Sequence, residues 1–564
     1  MNIVPGLVYP GFFRRYPIDF SGHYEAFFAG KFTYKDKDVS SENMPSFRRN
    51  DKHYLQEAYV SVFGPTFANI GREFRKSADN FNVALTRQIC SHQNARKFRF
   101  NQLKFVRTNL VNKFVVAYRL IVGKLFQLDI IEGMIRNAEK PHNKRKRRIS
   151  SLGELHSEGK FQSDCILRKE RKKVKGQIKT NETIPNSTRP RMTIDMSTPG
   201  SLVLGEIVDA IKTAFDEIIV GRCRLSFAME PSNSEVARLL SRLIYPEYDV
   251  EYVYFSDDAC IAFKDRQNKW QRANVDIKSC DGSHSRAVFD MLIRIVGNNP
   301  SISKQVKLAL SQLMYTLYIG YTGRHPKNSK KHRQTAFLQP VFPVLYSGSV
   351  LTTIINNIAN CLIGLGIYKH RDVKLGAKDA GYEVKVVPVI KIEDYQFLKM
   401  SPFLTDQGQV GVFLNLGVIL RLFGKIRGDL PGSGDVTRRA YRFNCQIMSG
   451  LRYSGDSSLY QLLCEKFPPQ DFGLRVRLPG SLEIVKFNVT FMVPDRVLEA
   501  RYGLGSYDEF LQLLRSAGPG SLISHKFVDT CMKIDYGYEP PIVLDYRILP
   551  QELVPTPIIT YNEA

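Results

Sequence analysis

The sequence predicts an α+β chain with a helical N-terminal layer, a middle section of β-hairpins and buried helix, and a mainly helical C-terminal part. Three observations carry this. From Tyr54 to Leu128 apolar residues recur at spacings of three and four (Phe81, Leu85, Ile89; Leu103, Val106, Leu110, Phe114), as on helices with one buried face. From Glu251 to Phe263 two runs of β-formers flank the turn-forming Ser256-Asp257-Asp258. From Gln334 to Tyr368 the chain carries no charge.

The 564 residues, 43% hydrophobic and 11% aromatic, are enough for a sizeable core and for several subdomains sharing a cleft, which excludes wholesale disorder. Lys and Arg number 80 against 55 acids, a net charge of +25 that favours a polyanionic partner, nucleic acid first and an anionic membrane surface second. The charge is concentrated: Arg136 to Lys179 holds fifteen Lys or Arg against five acids. Its runs Lys144 to Arg148 and Arg171 to Lys175 are separated by a Ser/Gly/Glu-rich piece, which reads as a mobile loop or loop pair, a solvated linker, an import-like run or an RNA contact.

The nine cysteines are odd in number and scattered, with no Cys-x-x-Cys pair, so neither a zinc site nor a disulfide framework is expected and a reducing compartment is. Met1 to Gly6 lacks a basic region followed by an apolar one, so no secretion leader is expected. The uncharged run is long enough for a bilayer, but it contains Pro340, Pro343, Ser347, Thr352, Thr353, Asn356, Asn357 and Asn360, and reads as protein interior.

From about Ser201 the pattern predicts a helix over Leu204 to Ile219 and another around Ser234 to Tyr245, then alternating strand-like pieces, then mostly helix with short strands from about Leu404. No internal repeat is visible.

Chemistry concentrates in three blocks. The β-former runs around Ser256-Asp257-Asp258 place two adjacent acids at a hairpin tip, although Asp-Asp is also a common turn dipeptide. Downstream, Ala273 to Ser285 reads as a short strand ending at Asp276, with Asp281 five residues later. Phosphoryl transfer with two metal ions needs carboxylates from neighbouring strands converging on cations ~3.5–4 Å apart. Asp276 and the hairpin supply them if the two elements are neighbours in one sheet. The third block, Ser347-Gly348 with Thr352 and Asn356, fits Ser-Gly-x3-Thr-x3-Asn: a glycine-containing loop running into a helix, with Thr352 and Asn356 on one face.

Together these blocks resemble the palm motifs C, A and B of viral RNA-dependent RNA polymerases, in the order C-A-B rather than the usual A-B-C. That order is similar to the permuted polymerases of permutotetraviruses and birnaviruses. After the third block the candidates for a Gly-Asp-Asp are Arg371-Asp372, Lys378-Asp379 and Glu393-Asp394, and none makes a hairpin tip of that kind. Thr188 to Ile194 resembles motif F, with Arg189 and Arg191; Gly376 to Lys391 resembles motif D; Tyr395 to Met400 resembles motif E. The chain departs from the permuted relatives in carrying Ser-Asp-Asp, where they often have Gly or Ala first and Asn last.

The resemblance implies a closed right-hand polymerase with fingers, thumb and a permuted palm. Its expected divisions are an N-terminal extension over 1–60, fingers with basic loops and motif F over 61–200, palm over 201–403, and thumb and tail over 404–564. By resemblance, Asp276 and Asp257, assisted by Asp258, hold Mg²⁺ or Mn²⁺. Asp281 and Asn356, with Thr352, recognise the ribose 2′-hydroxyl. Ser347 and Gly348 adjust to the nascent base pair, Lys385, or else Lys378, protonates pyrophosphate, and Arg189 and Arg191 clamp the triphosphate. Lys172, Lys173, Lys175 and Lys399 contact RNA. The implied partners are RNA template and product, nucleoside triphosphates and other viral replication proteins, with no integral membrane segment. The implied place is the host cytoplasm, in a replication complex or virion. The rival readings are a non-catalytic basic RNA-binding or capsid-type viral protein and a membrane-surface protein; both account for the charge but not for the three blocks together.

Overall fold

Strand-forming runs of Val, Ile, Tyr and Phe between residues 217 and 277, and a helix too apolar to lie on the surface, set the architecture. In this computed structural model the described residues are 98–123, 130–139, 148–153, 217–228, 232–296, 345, 347–416, 457–469 and 493–516. Short strands at 55–57, 72–74, 173–175, 317–320 and 335–338, and isolated positions within 201–211, 441–448 and at 534, complete them.

In chain order, β1 (Leu55–Glu57) pairs with β2 (Arg72–Phe74). Helices α1 (Arg99–Phe105), α2 (Asn109–Gly123) and α3 (Ile130–Glu139) follow. Next come β3 (Lys173–Lys175), β4 (Glu217–Val220), β5 (Cys223–Phe227), α4 (Asn233–Ile244), β6 (Val250–Phe255), β7 (Asp258–Lys264) and β8 (Trp270–Ile277). A single helical turn α5 (Cys280–Ser283), α6 (Arg286–Val296), β9 (Leu317–Gly320) and β10 (Thr335–Leu338) lead to α7 (Thr352–His370), α8 (Val373–Asp379) and β11 (Val384–Pro388). The hairpin β12 (Met400–Leu404) and β13 (Val410–Leu414) and helices α9 (Ser458–Lys466), α10 (Asp495–Tyr502) and α11 (Leu504–Ser516) complete the order.

The centre is a six-stranded sheet in the order β11-β8-β7-β6-β5-β4. Strands β5 and β6 are parallel, joined by α4 as a βαβ crossover, and the other neighbours are antiparallel. Helix α4 begins at Ser232, whose hydroxyl accepts the Glu235 N–H at 3.2 Å.

Strand alternation gives the sheet two covered faces. One carries Tyr252, Tyr254, Ile261 and Val275 into a cluster with α2, α6 and α7. The other carries Val253, Cys260 and Ala262 against α4, Tyr395, Phe397 and Val412 of β13. Helix α7 is buried from Ile354 to Ile367, so the long uncharged run becomes the central core helix. Gly364 allows it close to the sheet, since a Cβ there would stand 2.5 Å from Leu225 Cδ2 on β5 and 3.3 Å from Tyr252 Cγ on β6. No helix among the described residues is long and apolar enough to cross a membrane.

Two local expectations are corrected. Glu217–Val220 is an edge strand rather than the end of a helix, because its β-branched run Ile218, Ile219 and Val220 alternates buried, exposed, buried beside β5. The antiparallel pair β1 and β2 lies where Tyr54 to Leu128 reads as mostly helical; Leu103 and Phe114 do sit on helices α1 and α2.

Candidate active site

The hairpin between β6 and β7 turns through two residues, Ser256 and Asp257, because Phe255 and Asp258 are paired. Ser256 takes a positive φ of 56°, a conformation that two-residue hairpins demand and that most residues avoid. Helix α7 holds this tip with three asparagines. Asn357 Oδ1 accepts the Ser256 N–H at 2.8 Å, Asn360 donates to the Ser256 carbonyl at 2.5 Å, and Asn356 Nδ2 donates to Ser256 Oγ at 3.3 Å. Tyr252 in turn donates to Asn360 Oδ1 at 2.8 Å.

The register brings the acids together. Asp258 is the direct cross-strand partner of Asp276, and Asp276 is the direct partner of Lys385 on β11. Directly opposite residues share a face, so Asp258, Asp276 and Lys385 form one row across three strands. Asp257 and Asp276 are exposed, whereas Asp258 is partly buried. Asp258 Oδ2 accepts the Leu398 N–H at 2.7 Å. Burial pushes its carboxyl up to about 7; the Leu398 bond opposes this, the Asp257 and Asp276 charges add to it, and the Lys399 ammonium opposes it.

Leu398 reaches Asp258 through a tight turn in which Leu398 and Lys399 both have positive φ, 53° and 64°, between the bridged residues Phe397 and Met400. The approach to this turn is zipped onto the same sheet face. Asn274 Oδ1 accepts the Gln396 N–H at 3.0 Å, Asn274 Nδ2 donates to the Asp394 carbonyl at 2.8 Å, and Cys260 donates to the Gln396 carbonyl at 3.2 Å. Lys399 is therefore beside the acidic row, on an exposed turn.

After β8 the chain turns through Ser279, with φ 50°, into the helical turn that carries Asp281. Asn356 Nδ2 donates to Asp281 Oδ1 at 3.0 Å, and Ser347 Oγ donates to Asp281 Oδ2. The second acid of the Asp-x4-Asp block is thus joined to two residues of the third block, and through Asn356 to the hairpin tip. Gly348, exposed and with φ 92°, makes the turn after Ser347; Thr352 opens α7 with its N–H bonded to the Ser349 carbonyl at 3.0 Å.

The acids downstream of α7 have other local partners. Asp372 caps α8 through the Leu375 N–H, Asp379 binds Lys369 and His370, and Asp394 accepts the Lys391 N–H. Arg189, Arg191 and Lys172 lie outside the described residues, as do the side chains of Lys173 and Lys175, whose backbone forms β3.

Sequence reasoning assigned no role to Asn357, Asn360, His284, Tyr382 or Gln102. Asn357 and Asn360 carried a signal: amides in an otherwise apolar helix need buried partners. His284 and Gln102 carried none, since their partners lie 72 and 183 residues away.

Among the described residues no group of three or more His, Cys, Asp or Glu side chains is gathered closely enough to cage a metal. Magnesium is characteristically held by one or two carboxylates together with substrate phosphates. Two exposed carboxylates beside a third whose proton is retained partly by their negative charge fit such an ion.

The described centre is thus an α+β unit in which an acid-tipped hairpin lies beside an acid-bearing strand and a polar-faced helix. No protein-family model matches the chain, and no curated protein matches it in sequence. Among solved structures it is similar to the birnavirus VP1–VP3 complex, at 9% identity and a TM-score of 0.34 over 60% of this chain and 47% of that one. It is also similar to the RNA polymerase VP1 from Infectious Pancreatic Necrosis Virus, at 10% identity and a TM-score of 0.34 over 73% of this chain and 58% of that one. The chain spans about half the length of the solved chains it matches.

Proposed function

We propose that the chain is an RNA-dependent RNA polymerase that copies a viral RNA genome from ribonucleoside triphosphates, with a palm permuted so that the acid-tipped hairpin precedes the acid-bearing strand. The observation that carries the reading is the direct pairing of Asp258 with Asp276, with Asp257 exposed at the turn beside them. The permuted order is compatible with this chemistry because the site requires spatial neighbours, and strand pairing supplies them whatever the connection.

Asp276 and Asp257, with Asp258 assisting, would hold Mg²⁺ or Mn²⁺. When bound, the ions lower the pKa of the RNA 3′-hydroxyl and stabilise the departing pyrophosphate. Asp281, held by Asn356, offers an acceptor to the ribose 2′-hydroxyl, with Thr352 at the start of the same helix as Asn356. Ser347 tethers the Gly348 loop to Asp281, so this loop adjusts to the nascent pair without leaving the ribose site. Lys385, in the acidic row, delivers a proton to the pyrophosphate. Lys399 beside Asp258, with Lys172, Lys173, Lys175, Arg189 and Arg191, meets the phosphates of RNA and nucleotide, and sequence is read by base pairing. The division into extension, fingers, palm and thumb, association with other replication proteins and residence in the host cytoplasm belong to the same reading.

The test is template instruction. With Mg²⁺ or Mn²⁺, a poly(A) template should direct incorporation of UMP and not CMP, and a poly(G) template the reverse. Nucleotide addition indifferent to template would contradict the proposal, as would RNA binding without incorporation across templates, primers and both ions.

A further inference from the structure

We infer that His284 and Tyr382 form a buried positioning pair that fixes the orientation of the Asn356 amide and so sets discrimination for the ribose 2′-hydroxyl; this rests on the polymerase reading above. All three side chains are almost completely buried, at 1% exposure each. His284 Nε2 lies 2.8 Å from Asn356 Oδ1, and His284 Nδ1 lies 3.2 Å from the Tyr382 hydroxyl.

The Asp281 carboxylate shows which way each bond runs. It only accepts, so Asn356 must turn its NH₂ toward it. Asn356 Oδ1 then faces His284, whose Nε2 must carry the hydrogen. Nδ1 is left as the acceptor, and the Tyr382 O–H donates to it. Without the imidazole, Oδ1 loses its buried donor and the amide can rotate. Rotation would set Oδ1 against the Asp281 carboxylate and withdraw the NH₂ from both Asp281 and Ser256 Oγ.

The histidine is itself held from several sides. Gln102 of α1 accepts the Ser285 N–H at 2.7 Å and donates to the Ser283 carbonyl at 3.4 Å, bracketing His284 in the backbone. Edge contacts with Tyr382 at 5.9 Å and Phe289 at 6.4 Å orient the ring. Asn356 therefore holds Asp281 with one N–H while Ser256 Oγ takes the other. The half-buried Asp281 carboxylate, so held, accepts from a ribose 2′-hydroxyl, and a 2′-deoxyribose offers it no donor.

The experiment compares kcat/KM for UTP and dUTP on a poly(A) template, in the full chain and in His284→Leu, His284→Gln, Tyr382→Phe and Tyr507→Phe. Glutamine can still donate to Asn356 Oδ1. Tyr507→Phe removes a partly buried hydroxyl bond to Asp495 on the C-terminal helices, outside the Asn356 hydrogen-bond network, and controls for stability. His284→Leu should lose about tenfold in UTP-over-dUTP preference, mainly through a raised KM for UTP, the value of one hydrogen bond. His284→Gln should recover most of it, Tyr382→Phe should fall between, and Tyr507→Phe should keep the native ratio. Unchanged preference in both His284→Leu and Tyr382→Phe, in a native chain that discriminates, would overturn the inference and leave the polymerase reading intact. A native chain that incorporates neither nucleotide would overturn both.

Discussion

Asp258 and Asp276 stand directly opposite one another on adjacent antiparallel strands, and a backbone N–H from Leu398, 140 residues along the chain from Asp258, closes over the first of them. This gives two neighbouring acids of the same turn different environments. Asp257 faces solvent, whereas Asp258 is partly enclosed and keeps its proton up to about 7.

The enclosure of Asp258 has a pH signature. The folded protein holds this proton to higher pH than the unfolded chain, where carboxylates titrate at about 3.9. Its contribution to stability is therefore greatest below that range, declines as pH rises toward about 7 and is constant beyond. Asp258→Asn keeps an acceptor for Leu398 but cannot ionise. Urea denaturation from pH 4 to 8 should show the variant gaining on the native chain as pH rises; a constant difference would contradict the assignment.

Asp249 has the opposite sign. Burial raises its carboxyl, but bonds from Arg371 at 3.1 Å, Lys264 at 3.3 Å and Arg222 at 3.4 Å outweigh that and hold it below the ordinary carboxylate value. Its stabilisation is present above about pH 3.9 and is lost as pH falls through the lowered value. Asp249→Asn should lower stability by about 1–2 kcal/mol at neutral pH and less at high salt, measured by denaturant titration.

Asn357 and Asn360 of α7 should act on activity without touching nucleotide. Asn360→Leu removes a 2.5 Å bond to the Ser256 carbonyl and leaves the buried Tyr252 hydroxyl without its 2.8 Å acceptor. The cost should be about 1–3 kcal/mol of stability. Incorporation at a temperature where the variant is folded should fall through kcat, because the displaced hairpin misplaces Asp257.

Helices α7 and α8 cross where Gly366 meets Gly376. A Cβ on Gly366 would stand 2.3 Å from the Gly376 carbonyl oxygen, which as backbone cannot move aside alone. Gly366→Ala should destabilise by about 1–3 kcal/mol in thermal or urea unfolding, in contrast to an alanine at Gly153, where a Cβ meets nothing within 4 Å.

The hairpin, the strand ending near Asp276 and the loop entering α7 were legible because each is written in local pattern: β-former runs around a turn, or a glycine loop before an apolar run. The pairing of Asp258 with Asp276 was readable only as a condition, that hairpin and strand be neighbours, and the place of Lys385 beside Asp276 was not readable, since that register joins residues more than a hundred positions apart. Edge strand β4 was hidden by apolar residues that also suit a helix. Asn360 was read only as evidence against a bilayer, and Gln102 was invisible because a glutamine on a helix shows nothing of a partner brought by folding. The basic residues around Arg189 lie outside the described residues.

The most direct test is labelled ribonucleotide incorporation on single-stranded RNA by the native chain, Asp257→Ala, Asp276→Ala and Asp372→Ala. Asp372 belongs to the acids that follow α7 and caps α8 through a 2.8 Å bond, so its loss should cost about 1 kcal/mol of stability. The account predicts incorporation by the native chain and Asp372→Ala, with none above background from Asp257→Ala or Asp276→Ala. Incorporation that survives Asp276→Ala, or that is lost in a folded Asp372→Ala, would contradict a site built from the upstream hairpin and β8.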